Sequence, residues 1–274
     1  MELETEGRVY ELVEDPGDKY VAPGGVVAYC DELAENFKPL VLDHREYGSK
    51  PVPPEFMAYR IVVDPERRNL CLVYEIYWRR QDCGIEGLNK DHEHDYEQMQ
   101  VHFDIEAGRL DKVAISSVGP PECALHGVEV YSRVSDTTPR MVHFVTSPKE
   151  PFPWGGNEGR KWFTQVREMP LERLVFSGTR PVVKVITCYH VFAGLKVGRT
   201  WGEEGELEIE LRRLDSALLD RWYLRHANNR FGHDLTKPQE EPHMMYYPPP
   251  EDWVSRLVYG ILWAAYELKR KLGL

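Results

Sequence analysis

The sequence has no surplus of basic residues. Lysine and arginine number 34 against 45 aspartates and glutamates, a formal net charge of −11. A protein held to nucleic acid by neutralising phosphates needs the opposite balance, so nucleic acid is excluded as the main partner. Paired cysteine motifs are also missing. The five cysteines, at 30, 71, 83, 123 and 188, are odd in number and include no Cys-x-x-Cys, which excludes a fully paired disulfide framework and a cysteine-rich zinc module. Reduced cysteines are the simplest expectation. Long apolar runs are absent too. The longest, Leu257 to Tyr266, spans about ten residues against the roughly twenty a bilayer requires, so no transmembrane segment is expected. Residues 1–20 are acidic and lack the basic stretch and apolar core of a secretory signal. The expected location is cytoplasmic, or secreted if a leader has been removed.

What the chain does have is a large apolar fraction, 42%, enough for a real core. Its middle reads as short alternating strands. Asn69 to Trp78 places Leu70, Leu72, Tyr74, Ile76 and Trp78 on one face. Strand-like runs also cover 58–63, 97–105, 113–118, 128–134, 141–146, 182–192 and 206–212, separated by Pro, Gly, Asp and Asn. Strands at short spacing without helices between them predict a mainly β fold, an antiparallel sandwich with a few flanking helices. The expected division is a flanking segment at 1–54, a β core at 55–212 and a helical extension at 213–274. One helix is expected to start at the Asp215-Ser216 cap. A second follows Pro248-Pro-Pro250, with acidic residues in its first turn and Lys269-Arg-Lys271 in its last. This last helix is expected to dock on the sheet, a homo-oligomer contact being its alternative use.

Chemistry concentrates in Asp91-His-Glu-His-Asp-Tyr-Glu97, where seven residues hold two histidines and four carboxylates. These are ligand types for divalent ions. Strand parity puts Met99, Val101, Phe103 and Ile105 on an apolar face, with Asp95 and Glu97 at its end. His94 and His102 point the other way. Asp82 ends the apolar face of the preceding strand in the same manner, with Arg80 as a rival partner. Carboxylates at the mouth of a core face are costly and repel one another unless a cation compensates. His92 is out of strand parity with Asp95 and joins them only if the chain turns between the two. A carboxylate-rich site favours magnesium or calcium over zinc, manganese or iron. The use is either binding or metal-assisted hydrolysis, with Glu97 or His92 as general base.

The stretch Asp82…Asp91-His-Glu-His-Asp-Tyr-Glu97 resembles the GHRHDWE heptapeptide of the necrosis- and ethylene-inducing-peptide-like (NLP) cytolysins. Phe37-Lys-Pro39, Ile115-Ser-Ser-Val with His126-Gly, Gly178-Thr-Arg-Pro181 with the strand after it, and Asn229-Arg-Phe-Gly232 are similar to family pieces in the same order. The resemblance implies a β-sandwich with a divalent cation near one end. It carries Asp82, His92, Asp95, Glu97 and His190 over as cation-site residues. It also implies a sugar or lipid head group as partner, since family members bind plant sphingolipid head groups and then damage the membrane. Asp91, Glu93 and Tyr96 stand where the family has Gly, Arg and Trp, and cytolysis is therefore not expected.

Overall fold

The computed structural model describes residues 1–17, 26–43, 53–64, 69–81, 92–119, 125–133, 142–143, 165–185, 192–198, 205–218 and 245–246. The strands, in chain order, are β1 (Glu2–Thr5), β2 (Arg8–Glu11), β3 (Val13–Glu14), β4 (Val26–Tyr29), β5 (Leu40–Leu42), β6 (Phe56–Asp64), β7 (Asn69–Gln81), β8 (His92–Asp104), β9 (Arg109–Gly119), β10 (Leu125–Ser132), β11 (Val142–His143), β12 (Gln165–Pro170), β13 (Phe176–Ser177), β14 (Arg180–Val185), β15 (Phe192–Gly194), β16 (Leu211–Arg213) and β17 (Met245–Tyr246). Helix α1 (Asp31–Phe37) and a 3-10 turn (Leu171–Arg173) interrupt them. The protein is mainly β, as the alternation requires.

The centre is an antiparallel meander, β6-β7-β8-β9, extended by β10. Its strands are long and rich in β-branched and aromatic residues, the types that fill a pleated surface. The antiparallel expectation holds here but not everywhere. Among the described residues four pairings are parallel: β5 with β14, β12 with β10, β15 with β9, and β16 with β6. Each brings together distant stretches of chain, so the period-2 pattern of either strand carries no trace of it. Among the described residues the strands form one 13-stranded mixed sheet and two two-stranded ribbons.

The sheet curls over one core. β7 and β15 are separated by β8 and β9, which would put them about 14 Å apart in a flat sheet. Yet the Trp78 and Phe192 rings lie 5.9 Å apart, centroid to centroid. Phe37 of α1 meets Phe103 of β8 edge-on at 4.8 Å. The N-terminal hairpin contributes Leu3 and Tyr10 to the same core, and α1 contributes Leu33, Ala34 and Phe37. The start of α1 is fastened to β16: the Asp31 carboxylate accepts from Arg213, at 2.9 and 2.6 Å, and from the Tyr59 hydroxyl. These donors hold Asp31 below the usual carboxylate range, Arg213 first and Tyr59 second. The expected helix at 215 begins as read, with Leu218 N–H donating to Asp215 Oδ1 at 2.7 Å. The expected helix after residue 250 lies outside the described residues.

β15 is locked onto β10 by a buried carboxylate. Glu129 accepts from the Tyr131 hydroxyl at 2.8 Å, the Gly194 N–H at 2.9 Å and the Lys196 ammonium at 3.0 Å. A Cβ at Gly194 would stand 2.5 Å from the Tyr131 hydroxyl oxygen and 2.8 Å from Leu174 Cδ1. Both neighbours are buried and Tyr131 is held by Glu129, so neither can retreat. Gly194→Ala is expected to cost about 1–3 kcal/mol through overpacking. A fall in the urea midpoint at unchanged m-value checks this; an unchanged midpoint would show that the site has room.

Candidate functional site

The β7–β8 register decides which side chains share a face. Leu70 stands opposite Phe103, Leu72 opposite Val101, Tyr74 opposite Met99, Ile76 opposite Glu97 and Trp78 opposite Asp95. The apolar members of this row all belong to the main core. The core face thus runs without a break into Glu97, which is only 5% exposed. Asp95 takes the next position of the same parity, opposite the tryptophan that packs on Phe192. Glu97 and the Asp95 position thus follow one another in the same parity at the end of a core face, and carboxylates are the donor type a hard cation takes.

The remaining expected ligands are placed less fully. Asp82 and His190 lie outside the described residues, as does the 82–91 connection between the two strands. β8 already runs as strand from His92, which pairs with Gln81, so no turn separates His92 from Asp95. His92 therefore has the strand parity of Gln98, Gln100 and His102. Arg80, the rival partner considered for Asp82, stands opposite Glu93. Among the described residues no group of three or more His, Cys, Asp or Glu is gathered to hold a metal.

The opposite face holds what the sequence did not announce. Gln98, Gln100 and His102 alternate as a polar row, yet all three are buried. Gln98 donates to Glu75 across the strand pair, Gln100 donates to Gln98 at 2.8 Å, and His102 Nε2 lies 3.1 Å from Gln100 Oε1 and 3.7 Å from Cys71 Sγ. Farther along, Leu214 and Leu218 cover Phe56, Ala58 and Tyr77 on this side of the sheet. Burial pushes the Glu75 carboxyl up to about 8, against the opposing pull of the Gln98 hydrogen bond and the Arg60 charge. Its second oxygen has no hydrogen-bond partner among the described residues, consistent with a neutral acid at this position. The signal for this row was the repeated glutamine at alternate positions, but alternation marks a shared face and not its burial.

No family model matches the chain, and no curated protein does. Two solved structures are similar to it: one described as a toxin fold for microbial attack and plant defense, 11% identical with a TM-score of 0.36, and one described as NLPPya in complex with mannosamine, 12% identical with a TM-score of 0.35. Each alignment covers 77% of this chain and 82% of the other. No helix among the described residues is long and apolar enough to cross a membrane.

The Glu75 carboxyl sets a pH dependence. Between its ordinary value of 4.5 and about 8, the folded state keeps a proton that the unfolded chain releases. Stability therefore falls as pH rises through this window, by up to about 1.4 kcal/mol per pH unit. Glu75→Gln keeps an acceptor for Gln98 and cannot ionise. Its stability relative to the parent is expected to be near zero at the acid end of the window and to grow toward the alkaline end. Denaturation across that range checks this; parallel pH profiles would refute it.

Proposed function

We propose that the protein binds a divalent cation at the end of the β7–β8 pair and uses it to hold a sugar or lipid head group. The observation that carries this is the register: Ile76 opposite Glu97 and Trp78 opposite Asp95 continue a core face directly into carboxylates. Covalent connectivity adds support. Asp82 directly follows Gln81, the last paired residue of β7, and His190 precedes Phe192 by two residues, while Phe192 packs on Trp78. The donor set fits magnesium or calcium: Asp82, Asp95 and Glu97 offer hard oxygens. His190 is the further ligand, or the hydrogen-bond partner of metal-bound water; His92, of the opposite strand parity, is left out of the ligand set. The bound cation would supply a positive centre able to take hydroxyl or phosphate oxygens of a head group. Asp91, Glu93 and Tyr96 differ from the family heptapeptide at its non-ligating positions, which favours head-group binding without lysis.

Protein shown to be metal-loaded should lose melting temperature on chelation, because an ion bound only by the folded state stabilises it. Asp95→Asn should abolish most of that shift. His102→Ala, on the opposite face, should lower the baseline yet leave the chelator shift intact. An unchanged melting curve on chelation of loaded protein overturns the proposal. Vesicles containing plant sphingolipid should retain an entrapped dye at micromolar protein; dye release would overturn the expected lack of lysis.

A further inference from the structure

A cleft lined by no residue of β7 or β8 lies elsewhere in the fold. It opens between the β1–β2 turn, the end of α1, the 3-10 turn and the β13–β14 turn, with a volume of about 250 Å³. Its floor is apolar: Phe37, Leu171 and Leu174 belong to the core beneath. Its rim carries Glu6, Glu172 and Arg133, all exposed.

The rim charges are unspent. Arg133 donates from Nε to the Leu110 carbonyl, another wall of the cleft, at 2.6 Å. Among the described residues it has no carboxylate partner, and neither Glu6 nor Glu172 has a basic one. Glu6 is moreover held in the left-handed region, at φ 50°, with Gly7 at φ 73°. These two residues link Thr5 and Arg8, which pair across the hairpin. A two-residue turn with both φ positive favours Asn-Gly, because a longer side chain at the first position is strained. A glutamate kept in such a conformation at the lip of a cleft is a pointer to function.

We propose that this cleft binds a small zwitterion of the amino-acid type with an apolar side chain. The side chain lies on the Phe37–Leu171–Leu174 floor, the ammonium meets Glu6 and Glu172, and the carboxylate meets Arg133. The size agrees: a 150 Å³ apolar cavity admits benzene, so about 250 Å³ takes a ring with a short stem and leaves the charged end at the rim. Both signs of rim charge gain a partner, which neither an organic cation nor an organic anion achieves. The site is independent of the proposed cation.

Calorimetric titration of the full chain with phenylalanine tests it, with three analogues: phenethylamine without the carboxylate, 3-phenylpropionate without the ammonium, and glycine without the side chain. Saturable phenylalanine binding is expected at up to millimolar ligand, at least tenfold tighter than any analogue. Glu6→Asn and Arg133→Gln should each weaken it at least tenfold. Glu6→Asn should keep or raise the melting temperature, because asparagine tolerates the left-handed conformation, which separates lost binding from lost fold. Chelator should leave phenylalanine binding unchanged. The proposal is overturned by absent saturation, by an analogue binding as tightly as phenylalanine, or by binding that survives both substitutions.

Discussion

The antiparallel register of β7 and β8 is the constraint on which the rest depends. A shift of one residue would turn one strand over relative to the other. Either the Leu70–Trp78 row would leave the core and Glu75 enter it, or the Met99–Phe103 row would leave and Gln98 and His102 enter. The pairing from Asn69 with Asp104 to Gln81 with His92 is held by apolar side chains on one side and by amides on the other. Both faces are buried, so neither tolerates the exchange.

Three buried carboxylates sit in one sheet, each in a different setting. Glu129 is fully paired: three donors, one of them the Lys196 ammonium, occupy its oxygens. Such complete pairing suits a structural clamp, and it fixes β15 against β10. Glu75 has one amide donor and one oxygen without a partner, and its charge is suppressed instead. Glu97 is a third case, a carboxylate continuing an apolar row with Asp95 beside it in the same parity. It sits near the end of the core face, opposite Ile76 and two residues from the position that faces Trp78.

Curling of the sheet follows from pairings added at its margins. The central meander alone would leave one face of Met99, Val101 and Phe103 uncovered. The β14–β15 unit, reached through one parallel bridge to β9, folds Val183 and Phe192 over that face, and α1 closes it with Phe37. The cleft bordered by the strained Glu6-Gly7 turn lies where these added pieces meet β9, at Leu110.

Local pattern determined much of this protein. Period-2 alternation fixed the strands of the meander and the core face of β7 and β8, and it placed Asp95 and Glu97 at the end of that face because side-chain direction alternates residue by residue. Asp215 was legible as a cap because its hydrogen bond reaches only three residues. The N-terminal strands, β12 and the four parallel pairings were not legible, since short strands lack a full period and pairing between distant segments leaves no mark on either one. The burial of Gln98, Gln100 and His102 was hidden for a related reason: polarity is written in the sequence, but whether a polar row faces water or other chain is decided only when the tertiary structure lays something over it.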